Sequence, residues 1–309
     1  AINLTYILID LGKIQDLITF SKSIVQKNCI DKSIQFQSYI QLTIAYLIKG
    51  NLSEFKNNLS KAKKYINLDL DNYKKGKLNE KNSLNYYTMM DKLIPHLKID
   101  ERNIYIDKIP HIGESHCLSF AHQNIKIFNK LRTIQPVLVK GCKAWHLAND
   151  FNNLWKSSFN EQLKNHTYSS EILVSFGEID CRENEGIITH CIKYKKDILE
   201  ISKKTILNYI DYTETNLSRY YSKRYYFGVP APFITKGNID NFNIERKNLI
   251  KEYNYILKNI VISRGSNFID IYSLTSNDSG ENNMKYMCDK THLSPECLPI
   301  LFKHYLYKP

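Results

Sequence analysis

Apolar and aromatic positions recur every three or four residues from the chain start to about residue 66, as in Tyr39, Leu42, Ala45 and Tyr46, then Leu52, Phe55, Leu59 and Ala62. That spacing lines one face of a helix with side chains that need burial. Lys49-Gly50-Asn51 separates the two stretches and reads as a turn. Residues 67 to 103 are richer in lysine and asparagine, with a short apolar patch at Leu93–Leu97, and read as a linker with one intervening helix.

From residue 104 the pattern changes to short apolar runs separated by longer helical stretches. The strands expected are Ile109–Ile112, Pro136–Lys140, Glu171–Phe176, Tyr225–Val229 and Asn267–Ile271. Helices are expected at about 117 to 132, 146 to 165, 186 to 219 and 242 to 264, with a last one after Ser294-Pro295. Such alternation predicts an α/β domain: a flavodoxin-like three-layer α/β/α sandwich on a five-stranded parallel sheet, with ligands at the carboxyl ends of the strands. The expected division is a helical region with its linker at 1–98 and an α/β domain at 99–309.

Composition narrows the partners. Of 309 residues, 43% are apolar, enough to build the cores of both parts. No run approaches the roughly 18 to 20 apolar residues that a spanning helix needs, and no basic segment followed by an apolar core opens the chain, so a membrane is not an expected partner. The chain opens abruptly at Ala1, as a fragment of something longer would. Lys and Arg exceed Asp and Glu by 43 to 31, giving +12, a balance that attracts acidic sugars or phospholipid head groups. No lysine cluster is interleaved with aromatics in a nucleic-acid-binding pattern, so the charge reads as a solvated basic surface and nucleic acid is not expected. Seven cysteines without a CxxC pair favour a reducing, cytoplasmic location.

Two short segments carry candidate chemistry. His111-Ile-Gly-Glu-Ser-His-Cys117 puts Ser115 where the first strand turns toward a helix, at the sheet's carboxyl edge. A serine there is either a helix cap or an exposed nucleophile beside a backbone N–H. Asp289-Lys-Thr-His292 lies ahead of the last helix; a carboxylate three residues before a histidine can hold one ring nitrogen and leave the other to take a serine proton. Cys117 is the competing nucleophile. Cys117, Cys142, Cys181 and Cys288 flank these segments with His116 and His292, but without the paired spacing of zinc ligands, so neither metal nor cofactor is expected.

Together these segments resemble the GDSL/SGNH hydrolase family over about 104–309. Gly113-Glu-Ser115 stands in the first block, with Glu114 for the family's aspartate; Lys140-Gly-Cys142 supplies the glycine after strand two; Asp289 to His292 completes the order. The resemblance implies Ser115 as nucleophile, His292 as base, Asp289 as its orienter, and the N–H groups of Ser115 and Gly141 as oxyanion donors. The third block departs, because Phe176-Gly-Glu-Ile-Asp-Cys-Arg182 has Ile179 where the family has an asparagine. Arg182 is the candidate replacement donor, unless Glu178 or Asp180 pairs with it to hold the loop. Glu178, Asp180, Arg182, His116 and Trp145 are the candidate substrate contacts, Trp145 as a surface for a sugar ring.

Measured from Gly50, apolar or small residues fall at Leu52, Phe55, Leu59 and Ala62, which resembles a tetratricopeptide helix hairpin, and a second copy is read from Leu11-Gly12. The function expected is a serine esterase or O-acyltransferase acting on an acylated small molecule or carbohydrate, with a protein partner on the helices. The alternative is an inactive domain of this type serving as a binding scaffold.

Overall fold

A computed structural model describes residues 2–27, 31–75, 77–98, 106–234 and 241–303. Among them the chain begins with helices α1 (Ile2–Asp10), α2 (Ile14–Val25), α3 (Lys32–Lys49), α4 (Leu52–Lys75) and α5 (Leu78–Leu93). Phe36, Ile40 and Leu47 of α3 meet Phe55, Leu59 and Ala62 of α4 in one core, so the three- and four-residue spacing marks the buried faces. α4 runs on to Lys75, past the linker expected from residue 67, because neither glycine nor proline interrupts Leu52–Lys75 and its polar residues tolerate helix.

The remainder is built on a six-stranded sheet: β1 (Lys108–Gly113), β2 (Asn124–Ile127), β3 (Lys130–Leu138), β4 (Glu171–Ser175), β5 (Lys223–Phe227) and β6 (Asn267–Ile269), in the order β2-β3-β1-β4-β5-β6. All neighbours run parallel except β2, which pairs antiparallel with β3 at the edge. The connecting helices are α6 (His116–Ser119), α7 (Ala144–Ala148), α8 (Leu154–Lys164), α9 (Ile187–Tyr194), α10 (Ile198–Leu217), α11 (Asn241–Ser263), α12 (Ile271–Thr275) and α13 (Leu298–Leu301).

The helix expected over 117 to 132 is therefore wrong, and a sixth strand joins the expected five. α6 ends at Ser119, and β2 and β3 form a hairpin whose turn residues Phe128 and Asn129 have φ of 46° and 62°. Such left-handed pairs match the twist of two-residue hairpins. Leu118, Ala121, Ile125 and Phe128 imitate a helical period, but Ile125 and Ile127 alternate with Asn124 and Lys126, and the alternation wins once they bury beside Ile134. β3 thus starts at Lys130, and Pro136 lies beyond the stretch that β2 covers. The long helices expected at 146–165 and 186–219 each break, the first before the α8 cap Asn153, the second at Lys195 with φ 50°. β6 stops at Ile269, with Ile271 opening α12. The expected boundary at 98/99 adjoins residues 99–105, and Cys29 sits within 28–30; both lie outside the described residues.

Period-two alternation gives the sheet two apolar faces. Ile112, Val137, Ile172, Val174 and Tyr226 pack under Phe159, Tyr209 and Leu257 of α8, α10 and α11. Ile109, Ile134, Leu173, Tyr225 and Phe227 pack under Phe120 and the carboxyl-terminal Leu298 and Phe302. Each such buried side chain contributes about 1.5–3 kcal/mol.

The helical region docks through carbonyls at its helix ends, which accept side-chain N–H groups from the α/β part. His122 Nε2 donates to Leu47 O at 2.7 Å, Gln135 Nε2 to Ile48 O at 2.9 Å, and Gln162 Nε2 to Ile9 O at 3.0 Å. Its core also takes in Cys117, Leu118 and Leu138, so it is continuous with α6.

Gly113 closes β1 against β4, where an added Cβ would lie 2.2 Å from Ser175 Oγ and 2.6 Å from Ser175 O. A backbone oxygen cannot yield without opening the sheet. Gly113→Ala is expected to destabilise by about 3 kcal/mol, read as a lowered midpoint of urea unfolding; an unchanged midpoint would contradict this packing.

Candidate active site

The chain leaves β1 at Gly113 and enters α6 at Ser115, whose hydroxyl makes no capping bond to that helix. Its Oγ instead lies 2.9 Å from His292 Nε2. His292 is set by a tight turn in which Cys288 N–H donates to His292 O at 2.9 Å. Inside that turn Asp289 Oδ1 accepts the backbone N–H groups of Thr291 at 2.7 Å and His292 at 2.6 Å, while Oδ2 is 2.8 Å from His292 Nδ1. Burial works against a charged Asp289, but the His292 ring and these amides outweigh it and hold the carboxyl well below its usual range. An ionised Asp289 keeps the proton on Nδ1, which leaves the Nε2 lone pair facing Ser115.

A second carboxylate–imidazole pair stands beside the first. Glu114 Oε2 lies 2.7 Å from Ser115 Oγ, and its Oε1 lies 2.5 Å from His116 Nδ1. His116 Nε2 reaches Thr291 O at 3.1 Å, and a carbonyl can only accept. Burial pushes His116 down, yet the Glu114 charge and hydrogen bond, with Glu178, hold it up at about 9. Glu114, pushed up by burial, is brought down to about 2 by His116, Arg182 and the Ser115 hydroxyl. The pair is thus an imidazolium and a carboxylate. The carboxylate beside Ser115 is neutralised locally, and both His116 nitrogens are occupied.

Arg182 bonds Glu178 Oε2 through Nε at 2.7 Å and through Nη2 at 2.6 Å, and lies 3.6 Å from Glu185. Asp180 does not join this pair: it accepts the N–H groups of Ala144 at 2.7 Å and Trp145 at 2.9 Å, tying the third block to α7. Ile179 is buried and supplies no donor. Among the described residues neither Ser115 N–H nor Gly141 N–H has an acceptor, and Gly141 turns at φ 64°. Glu114, His116 and Glu178 bring possible metal-binding atoms within 4.8 Å of one another. His116 has no lone pair to offer in its charged form, and Arg182 already covers Glu178, so the group fits an ion-pair network better than a cation.

Cys117 packs in the helical core with its thiol pushed well above its ordinary value by burial, which leaves it no part as nucleophile. The six described cysteines are all free, five of them buried. Two neighbours of the site carried no motif. Tyr86 of α5 feels Glu114 and Arg182, and burial followed by Glu114 raises its pKa. Lys140 Nζ sits 3.5 Å from the centre of the Tyr6 ring and 5.3 Å from that of Tyr86; burial lowers it to about 7 against the pull of Asp10. Its place directly before Gly141 is the only sequence signal for it; Tyr86 had none. No helix among the described residues is long and apolar enough to cross a membrane.

No family model and no curated protein sequence matches this chain. Among solved structures, it is similar to a GDSL-like lipase from Bacteroides thetaiotaomicron, at 12% identity and a TM-score of 0.43, over 72% of this chain and 97% of that one. It is similar also to a catalytic mutant of Axe2, an acetylxylan esterase from Geobacillus stearothermophilus, at 12% identity and a TM-score of 0.39, over 66% of this chain and 95% of that one. At such distances the chemistry rests on the geometry of the site itself.

The Glu114–His116 pair makes stability depend on pH. Glu114 falls from 4.5 to about 2, so its share is complete above pH 4.5 and is lost as pH falls toward 2. His116 rises from 6.5 to about 9, so its share is complete below pH 6.5 and is lost as pH rises through about 9. The urea midpoint is expected to fall between pH 6.5 and 9.5, and to fall less in a Glu114→Gln/His116→Gln double variant. Equal slopes in the two proteins would rule the charged pair out.

Proposed function

We propose that residues 99–309 form a serine-dependent acyl-ester hydrolase or O-acyltransferase of the SGNH type, acting on an acylated carbohydrate. The observation that carries this reading is the unbroken line from Asp289 through His292 to Ser115 Oγ, with steps of 2.8 and 2.9 Å.

Ser115 Oγ attacks the ester carbonyl carbon as its proton passes to His292 Nε2. The carbonyl electrons move onto oxygen, where the N–H groups of Ser115 and Gly141 meet the charge. Collapse of that intermediate breaks the carbon–oxygen ester bond, and the departing alcohol takes the proton back from His292. Water, or a sugar hydroxyl, then gives its proton to Nε2 and attacks the acyl-serine; the acyl–Oγ bond breaks, the acid or new ester leaves, and Ser115 Oγ takes the proton back from His292. Asp289 holds the imidazole throughout, and His116 keeps Glu114 from opposing the oxyanion. Arg182, tied to Glu178, serves better as part of a fixed polar wall than as a free donor to the oxyanion.

The polar wall of Glu178 and Arg182 and the net charge of +12 favour a sugar over a long acyl chain. The free cysteines fit a cytoplasmic location. On the same reading the α3–α4 hairpin is tetratricopeptide-like and braces α6, with its outer face left for a protein partner. Two observations favour a slow or inactive scaffold: Glu114 competes with His292 for the single Ser115 proton, and Ile179 replaces a donor.

Hydrolysis of p-nitrophenyl acetate separates the two. The native chain is expected to turn it over, with Ser115→Ala and His292→Ala each lowering kcat by about 10⁶-fold. Equal rates in all three proteins would leave the scaffold.

A further inference from the structure

A cavity of about 170 Å³ opens beside α7, lined in part by Trp145, Ile187 and Ile201 and in part by Lys143, Glu185 and His190. Trp145, which follows Gly141 by four residues, is 46% exposed although it is one of the largest apolar side chains in the protein. Its partner tryptophan is differently placed: Trp155 stacks on His146 at 3.5 Å, so its face is covered. Asp180 fixes the base of the cavity by holding the N–H groups of Ala144 and Trp145.

We propose that this cavity is a subsite for one sugar ring on the alcohol side of the ester, a reading that rests on the acyl-serine chemistry above and names where its carbohydrate is held. Size is the first argument. An apolar cavity of about 150 Å³ admits a benzene ring, so this one has room for a single six-membered ring. Lining is the second. An acyl chain would strip water from Lys143, Glu185 and His190 with nothing in return, whereas ring hydroxyls both donate and accept. Trp145 and the two isoleucines meet the C–H face of such a ring.

Position is the third argument. Glu185 lies 3.3 Å from Lys143 Nζ and 3.6 Å from Arg182, which holds Glu178 beside Glu114 and His116. The cavity and the nucleophile are therefore joined by one short chain of charged side chains. Movement of the ring in the cavity would be felt at Arg182.

The chain has two tryptophans, so Trp145 can be read alone. Emission is followed in the native protein and in Trp155→Phe during titration with D-glucose, N-acetyl-D-glucosamine and D-glucuronate, with hexanoate and AMP as competing chemistries. Trp145→Phe in the native background isolates the Trp145 signal should Trp155→Phe not fold. A saturable change at Trp145 with at least one sugar is expected, with a Kd on the order of 1 mM, weakened about tenfold by Glu185→Ala. No saturable response to any of the three sugars, or saturation by hexanoate or AMP alone, overturns the subsite. Fluorophosphonate labelling of the same samples keeps the two readings apart: labelling without a sugar response sinks the subsite only. A sugar response without labelling supports the subsite and sinks the acyl-serine reading.

Discussion

The whole arrangement depends on one carboxylate. Asp289 takes three N–H groups, two from the backbone of its own turn and one from the His292 ring, and so fixes both the turn and the tautomer. Without that acceptor, Thr291 and His292 would present buried donors with no partner, and the imidazole would lose its direction toward Ser115. Because the acceptor lies only three residues from the histidine, the orientation is local. It needs the sheet only to deliver Ser115 to the same edge.

That delivery places several charges in a confined space, and the fold meets the cost by pairing them. His116 neutralises Glu114, Arg182 neutralises Glu178, and Lys143 meets Glu185. An unpaired buried charge would cost several kcal/mol, so Glu114, His116 and Glu178 are not readily altered alone, whereas Glu185 is half-exposed and escapes that cost. The helical region adds to the same constraint. It caps its own helix ends with His122, Gln135 and Gln162 from the α/β part, and it shares a core with α6. The helices and the serine turn are thus one packed unit on that side.

Much of this was legible in the chain. Strands β1, β4 and β5 are short apolar runs buried on both faces, which read clearly, and Asp289 with His292 was readable because its geometry is contained in four residues. The β2–β3 hairpin was not, because Leu118, Ala121, Ile125 and Phe128 imitate a helical period and only burial beside Ile134 decides between the two. Asp180 also holds the start of α7, and both His116 nitrogens are bound, neither of which the local sequence reveals. Tyr86 had no sequence signal, since it meets Lys140 only when α5 folds against the loop after β3. Local motifs carry the chemistry, and long-range packing decides which polar residue faces it.

The central claim is that Ser115 is the group activated by His292. Its most direct test is to treat the native protein with a fluorophosphonate, digest it, and locate the adduct by peptide mass. The account predicts a single adduct on Ser115, absent from the His292→Ala protein. An adduct on another residue, or one on Ser115 that forms equally fast without His292, would contradict it.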